Sequence, residues 1–549
     1  MSFRRYYEDE LAYLRELGEA FGRANPAVAG LLSRQGTDPD VERLLEGFAF
    51  LTGRLRERLD QQLPELSHGL LTLLWPYYLR PIPALTTVEF LPGTPLIVGV
   101  PAGSAVASRP VEGTVCRFRT CWDLPVLPAT IVQASYESGV ASASLSLTIR
   151  PVHGAPLATL AEQRLRVFLH GDRDPRLGPR LLRALLDDVS GIELASGSAR
   201  RTVAPDTLRH AGFLNQEAAL PWPHNGFPGF RILQEFLAFP EKFMFVDLPP
   251  LPESLLVGDS LTVTFRFDHI PDLPGRIGAE NFRVNCVPVI NLYPATADPL
   301  PLNQHLREYR LVPAAPASRH ARVHTIDRME AMVQGRADAV TVPAFESFTH
   351  LRPGQPGLFY RARMRPAVLF RGGEMWVSFV DGSDQPILPA VDTIIARLTC
   401  TDGEVAELVP VGGVSQVAAG SPAAMTFRNI TPVTPEAPPP LQGDTLWRLV
   451  AGLARSLAPL ADIESLRALI ASYDFHAIHD EQRRRRLDLL LSGLVSLDAE
   501  LMERLVNGIP VPGRQVTLTV KESGFGGAEG AFLFGAALDA FIGIFGGLN

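Results

Sequence analysis

Lysine is nearly missing from this 549-residue chain: it occurs only at Lys242 and Lys521, and arginine supplies the other basic side chains. That skew reflects base composition more readily than a binding task. The net charge is -8, and no basic face is spaced for phosphates or interleaved with stacking aromatics, which excludes nucleic acid as the main ligand. Cysteine is scarce too. Cys116, Cys121, Cys286 and Cys400 are too few for a disulfide framework and fit no zinc spacing, so a reducing compartment is expected.

Long apolar runs are also rare. The first residues, MSFRRYYEDELAYLRELGEAF, carry charges every few positions and hold no export core. The most apolar stretch, Ala531 to Leu548, is interrupted by Asp539 and several glycines, and reads as a buried helix rather than a membrane span. Catalytic and cofactor motifs are missing in the same way. The chain has no HExxH, no GxSxG and no Gly-Lys pair, and the run Gly524 to Gly530 places Glu529 where a dinucleotide fingerprint needs glycine.

Some clusters deserve weighing against these absences. His476, His479, Asp480 and Glu481 resemble metal ligands, but no third element is tied to them by spacing and Arg483–Arg486 follow at once, so a polar helix terminus is expected. Arg483–Arg486 themselves read as a solvated helix face or as salt-bridge partners. Glu235 and Glu241 could be imagined as a glycosidase pair, yet two carboxylates alone do not specify that chemistry.

What is present is a globular composition, 46% hydrophobic and 20% charged, long enough for about three to four domains. Residues 2–24 read as a helix with Tyr6, Leu11, Leu14, Leu17 and Phe21 roughly along one side. A stronger signal follows. Asp38 caps, Pro39 suits the first turn, and Val41, Leu44, Leu45, Phe48, Leu51, Leu55 and Leu59 recur at helical spacing. A helix from 38 to 63 would be a rod of roughly 39 Å. Burying its apolar face is worth roughly 10–20 kcal/mol gross, so the rod needs partners. A short helix, 68–78, ends before Pro81.

From Thr86 the pattern changes to alternating strands, among them 87–91, 115–119, 130–136, 142–150, 165–170 and 260–267, with a helix over 179–189. Further strands are expected at 367–370, 375–380 and 393–399. TPVTPEAPPPLQG, residues 431–443, reads as an extended, poorly packing linker. Helices at 444–457 and 462–473, a strand at 515–522 and the apolar final segment complete the chain. The expected fold is α+β and multidomain: an N-terminal helical unit (1–84), β-rich domains (85–300 and 301–430), the linker (431–443) and a C-terminal helical or mixed domain (444–549).

Several ordered blocks carry a resemblance. YYEDELAYLRELGEAF, DPDVERLLEGFAFL, LLWPYYLRPIPA, GFPGFRILQEFLAFPEKFMFVDL, NCVPVINLYP, LWRLVAGLARSL, LRALIASYDF and EGAFLFGAALDAF resemble the TssF family of type VI secretion baseplate subunits. Two departures stand out. AGLARSLAPL replaces a Ser-Leu-Asn-Tyr-like run, and the family usually continues for some tens of residues past the position of Asn549, which leaves a short member or a truncated sequence. The resemblance implies a structural role with no enzymatic site and no cofactor, similar to contractile phage-tail wedge proteins. In it, two TssF copies join one TssG subunit through a helical bundle. The resulting wedges surround the spike protein VgrG and connect to TssK, TssE and the sheath, in the cytoplasm at the membrane-docked baseplate. The expected interface is the face of Val41, Leu44, Leu45, Phe48, Leu51 and Leu55, with Trp447, Leu449, Phe532 and Phe534 of the C-terminal region as a second candidate. A phage-derived wedge protein and a carbohydrate-active β-rich protein are the alternative readings.

Overall fold

The protein is described by a computed structural model. It describes Tyr7, Leu11, Arg43, residues 46–52 and Arg54, then residues 77–441 and 462–546, apart from 173, 223–226, 275, 303–305, 315–318, 333–338, 346–356, 368–369, 382–386, 388–392, 422–424 and 507–508. The chain divides into two compact units, Met1–Tyr78 with Leu441–Ala451, and Leu79–Pro440 with Gly452–Asn549. In the first, Arg43, residues 46–52 and Arg54 are helical, as are Tyr7 and Leu11. Of the helix expected at 68–78, Tyr77 and Tyr78 lie in a turn instead and 68–76 fall outside the described residues, as does the helix expected at 444–457.

The second unit is built mainly from antiparallel sheets. A six-stranded sheet runs in the order Val414–Gln416, Ala105–Ser108, Arg117–Thr120, Cys286–Ile290, Leu85–Leu91, Thr426–Asn429. Its register pairs Val88 with both Val287 and Asn429. Strands from the two β-rich portions expected on either side of residue 300 therefore share one sheet. A five-stranded sheet (Ala199–Val203, Val189–Ser196, Leu261–Phe267, Ala143–Pro151, Ala129–Ser138) lies beside a four-stranded one through a common core. LTVTFRF, residues 261–267, alternates because Leu261, Val263, Phe265 and Phe267 point into that core while the residues between them face out.

Among the described residues the α-helices of this unit are α1 (Leu177–Arg183), α2 (Pro228–Ala238), α3 (Ile463–Tyr473), α4 (Phe475–His479), α5 (Glu481–Gly493) and α6 (Ala528–Gly546). α1 covers the first part of the helix expected at 179–189; a π-helical turn, Ala184–Asp188, then leads straight into the strand at Val189. Asp462 caps α3 by accepting from Ser465 N at 2.8 Å, and Asp480 caps α5 by accepting from Gln482 N at 2.8 Å.

Two local expectations change. Of the strand expected at 367–370, the described residues Ala367 and Phe370 lie outside any strand: Ala367 is past the end of Phe359–Pro366 and donates to Gly372 O at 2.9 Å in the connection to Gly373–Val380. The described part of the proline-rich segment, residues 431–441, is extended as expected, but it is packed. Ala437 and Ile82 exchange backbone hydrogen bonds of 2.8 and 3.0 Å, Thr434 N donates to Leu85 O, and Val433 and Ala437 are buried. Prolines reduce the donors such a strap must satisfy, so it can lie against the body at low polar cost. Finally, Leu494–Val506 and Ile509–Val520 pair as a hairpin that forms a two-stranded sheet of its own. The sequence suggests only part of its second strand.

Candidate assembly interface

The block GFPGFRILQEFLAFPEKFMFVDL shows how the body uses its charged residues. Pro228 opens α2 at its first turn, and the helix buries Phe230 through Glu235. Glu235 has no exposed surface. Its carboxylate accepts from Ala219 N (2.8 Å) and Leu220 N (2.9 Å), pairs with the Lys242 ammonium and lies 3.6 Å from Arg231 Nε. Lys242 is equally enclosed and also donates to Gly212 O at 2.6 Å. Burial pulls its pKa down, and the Glu235 carboxylate opposes that shift. The acceptor capacity of Glu235 is thus consumed by packing, and Glu241 sits in the following turn, Pro240–Phe243.

A second buried knot lies nearby. Glu217 accepts from Arg166 (2.6 Å), Arg209 (2.8 Å) and Gly212 N (2.8 Å), while Asp247 holds Arg166 at 2.6 Å. Burial works to raise the Glu217 pKa, but Arg166 and the backbone donors bring it below the ordinary value. These carboxylates cross-link turns and strands of one body.

The remaining clusters are similarly occupied. His476 is buried with Nε2 3.0 Å from Pro435 O, Asp480 caps α5, and Glu481 pairs with Arg485 at 3.4 Å. Arg484 donates to Ala477 O (3.3 Å) and Ile478 O (3.1 Å), satisfying carbonyls at the end of α4. The glycine run is a turn into α6. Gly526 and Gly527 have φ of 80° and 137°, and a Cβ on Gly530 would lie 2.0 Å from Phe525 O.

The described turns of the N-terminal helix differ from all of this. Ala49 is fully buried, whereas Phe48, Phe50 and Leu51 are 57%, 46% and 66% exposed. Phe48 and Leu51 are one turn apart, so they present contiguous apolar surface. Phe50 belongs to the exposed set but not to the heptad-like face read from the sequence. Its aromatic character was the only available signal. Val41, Leu44, Leu45, Leu55, Trp447 and Leu449 lie outside the described residues.

The C-terminal candidates behave differently. Phe534 is 2% exposed, its ring 5.8 Å from Phe236 and 5.0 Å from Phe525, and Phe532 packs half-buried against the core. As a contact for another chain Phe534 is corrected to a core residue, because α6 turns that side chain onto its own body. Among the described residues no helix is long and apolar enough to cross a membrane.

Fold and surface together define a multidomain α+β scaffold, with its buried ions spent on cohesion and a surplus of apolar surface on one helix. The family model described as "Type VI secretion system, TssF" matches residues 1–549, and the chain belongs to that family of type VI secretion baseplate subunits. It is 28% identical to type VI secretion system component TssF1 of Pseudomonas aeruginosa, over 98% of this chain and 93% of that protein. A chain in the cryo-electron microscopy structure of a TssK-TssF-TssG baseplate subcomplex is similar to it with a TM-score of 0.74 and 27% identity, over 92% of this chain and 94% of that one. A chain of a type VI secretion baseplate complex is similar with a TM-score of 0.59 and 25% identity, over 98% and 93%.

Proposed function

We propose that this chain is a structural, non-enzymatic subunit of the type VI secretion baseplate that joins a TssG-type subunit, two copies of this chain to one TssG. The wedge so formed connects to TssK, TssE, the spike VgrG and the sheath at the cytoplasmic side of the membrane-docked baseplate. The observation that carries this reading is the family match over the whole chain, together with the likeness to a chain of a TssK-TssF-TssG subcomplex. The N-terminal unit contributes the bundle contact with TssG. The exposure of Phe48 and Leu51 supports this assignment, since an apolar face of that kind is stabilised by burial against another helix.

The test is co-expression with a TssG-type subunit and affinity capture. Phe48→Asp with Leu51→Asp is expected to abolish co-purification while leaving the thermal midpoint of the chain unchanged, because both side chains are exposed in the chain itself. Undiminished capture of TssG by the double variant would refute the placement of the interface. Failure of the unmodified chain to capture TssG would refute the assembly reading.

A further inference from the structure

We infer that the C-terminal hairpin is a self-pairing arm: its first strand, Leu494–Val506, adds antiparallel to the same strand of a second copy, giving a four-stranded sheet across a two-fold axis. The inference shares with the assembly reading only the presence of two copies.

The hairpin is anchored at its base. Leu494 is buried, Arg467 of α3 donates to Leu494 O, and Lys521 N donates to Gly493 O at 2.7 Å. Beyond the base many of the described side chains face solvent, and Leu497, Val516 and Leu518 are half-buried. Asp498, Ala499, Glu500, Met502 and Glu503 are exposed on the first strand, as are Gln515, Thr517 and Thr519 on the second. Register places Leu497 opposite Leu518 and Ala499 opposite Val516, so the half of one face nearest the base is apolar, while Arg514 and Glu503 fall on the same face toward the tip. A two-stranded ribbon with one apolar face is marginal in water, and a third or fourth strand makes it stable.

The two edges are not equivalent. The second strand, Ile509–Val520, contains Pro510 and Pro512, and prolines in a ladder sit with the missing N–H toward the outer edge, which therefore lacks donors there. The first strand is thirteen residues without proline or glycine, and among the described residues nothing pairs with its outer edge. Such an edge is a template for strand addition.

The sequence of that strand selects its own copy as the occupant. Read antiparallel about Leu501, Leu497 falls opposite Leu505 and Asp498 opposite Arg504, each twice across the axis, while Glu500 meets Met502 and Glu503 meets Ala499. No like charges oppose one another. A centre at Glu500 would set that carboxylate against itself, and a centre at Met502 would set Leu501 against Glu503. Opposite charges directly across a strand pair attract, and like charges repel. An isologous contact requires this kind of self-complementarity.

The test uses the full chain, alone and co-expressed with a TssG-type subunit, carrying Leu501→Cys and treated with a short thiol cross-linker. Of the native cysteines Cys116, Cys286 and Cys400 are buried and Cys121 is half-buried, so background is low. A cross-linked dimer of this chain is expected at about five-fold or more above a Gln515→Cys control on the far strand, since directly paired positions bring Cβ atoms close together. In the same assay Asp498→Arg and Arg504→Asp should each reduce the dimer several-fold, and the double exchange should restore it. Absence of the dimer in a sample that still captures TssG would overturn the inference and leave the assembly reading intact. Cross-linking to TssG in place of a second copy would also overturn it. A dimer that forms although TssG is not captured would support the arm and refute the assembly reading.

Discussion

Replacing Lys242 by methionine takes one partner out of a fully enclosed ion pair and keeps nearly the same volume. Glu235 would keep its two backbone donors, Ala219 N and Leu220 N, and Arg231 at 3.6 Å, while Gly212 O would lose its donor. Breaking one side of a buried pair costs about 3–5 kcal/mol, and the residual donors place Lys242→Met at about 3. Glu235→Gln should cost more, about 4–5 kcal/mol, because it leaves an ammonium and the Arg231 guanidinium in the same dry site with only neutral acceptors. The double variant, Glu235→Gln with Lys242→Met, should cost clearly less than the sum, since neither the carboxylate nor the ammonium is left without the other and only Arg231 keeps a charge there. The assay is urea unfolding followed by tryptophan fluorescence. With a slope of about 3 kcal/mol/M for a body of this size, the single variants should lower the midpoint by about 1 M or more. Midpoints shifted by less than about 0.2 M, or a double variant equal to the sum of the singles, would refute the claim that this pair holds α2 to the turn after it.

Further outcomes follow from the same structure. Gly530→Ala should destabilise the chain by about 1–3 kcal/mol because the added methyl meets Phe525 O at 2.0 Å. Gly535→Ala, in the same helix with nothing within 4 Å, should stabilise it by about 0.5–1 kcal/mol, and thermal melts of the two variants separate these cases. His324 and His476 are buried, and burial lowers their pKa to about 3 and about 4. The unfolded chain binds these protons near pH 6.5, so protons favour unfolding. Stability should be full above that value and fall toward pH 4, by roughly 2 kcal/mol per histidine at pH 5. His476→Gln should flatten that loss in urea midpoints measured from pH 7 to 5; an unchanged slope would show that this residue is not its source.

Much of the local structure was legible because it follows from short-range rules. The alternation of LTVTFRF, the Asp462 cap of α3 and the apolar periodicity around Phe48 all depend on neighbours a few residues away. What stayed hidden depended on distant partners. Nothing near Glu235 indicates that its charge is met by Lys242 and by the amides of Ala219 and Leu220, so a pair of glutamates could be read as possible chemistry when it is cohesion. The strand Leu494–Val506 is rich in leucine and glutamate, residues with good helix propensity, and only pairing with 509–520 sets it as a strand.

By itself the sequence determined the α+β class, the family through its ordered blocks, and the lack of a recognisable catalytic motif, because composition, periodicity and motif spacing are properties of contiguous residues. Tertiary structure decided which apolar residues remain available. It spends Phe534 on the core beside Phe236 and leaves Phe48 and Leu51 at the surface, although all three are equally apolar. It also straps the proline-rich segment to Ile82 and Leu85 and brings strands from residues 85–91 and 426–429 into one sheet. Burial and non-local pairing are set by the free energy of the whole body, and no single stretch of chain encodes them.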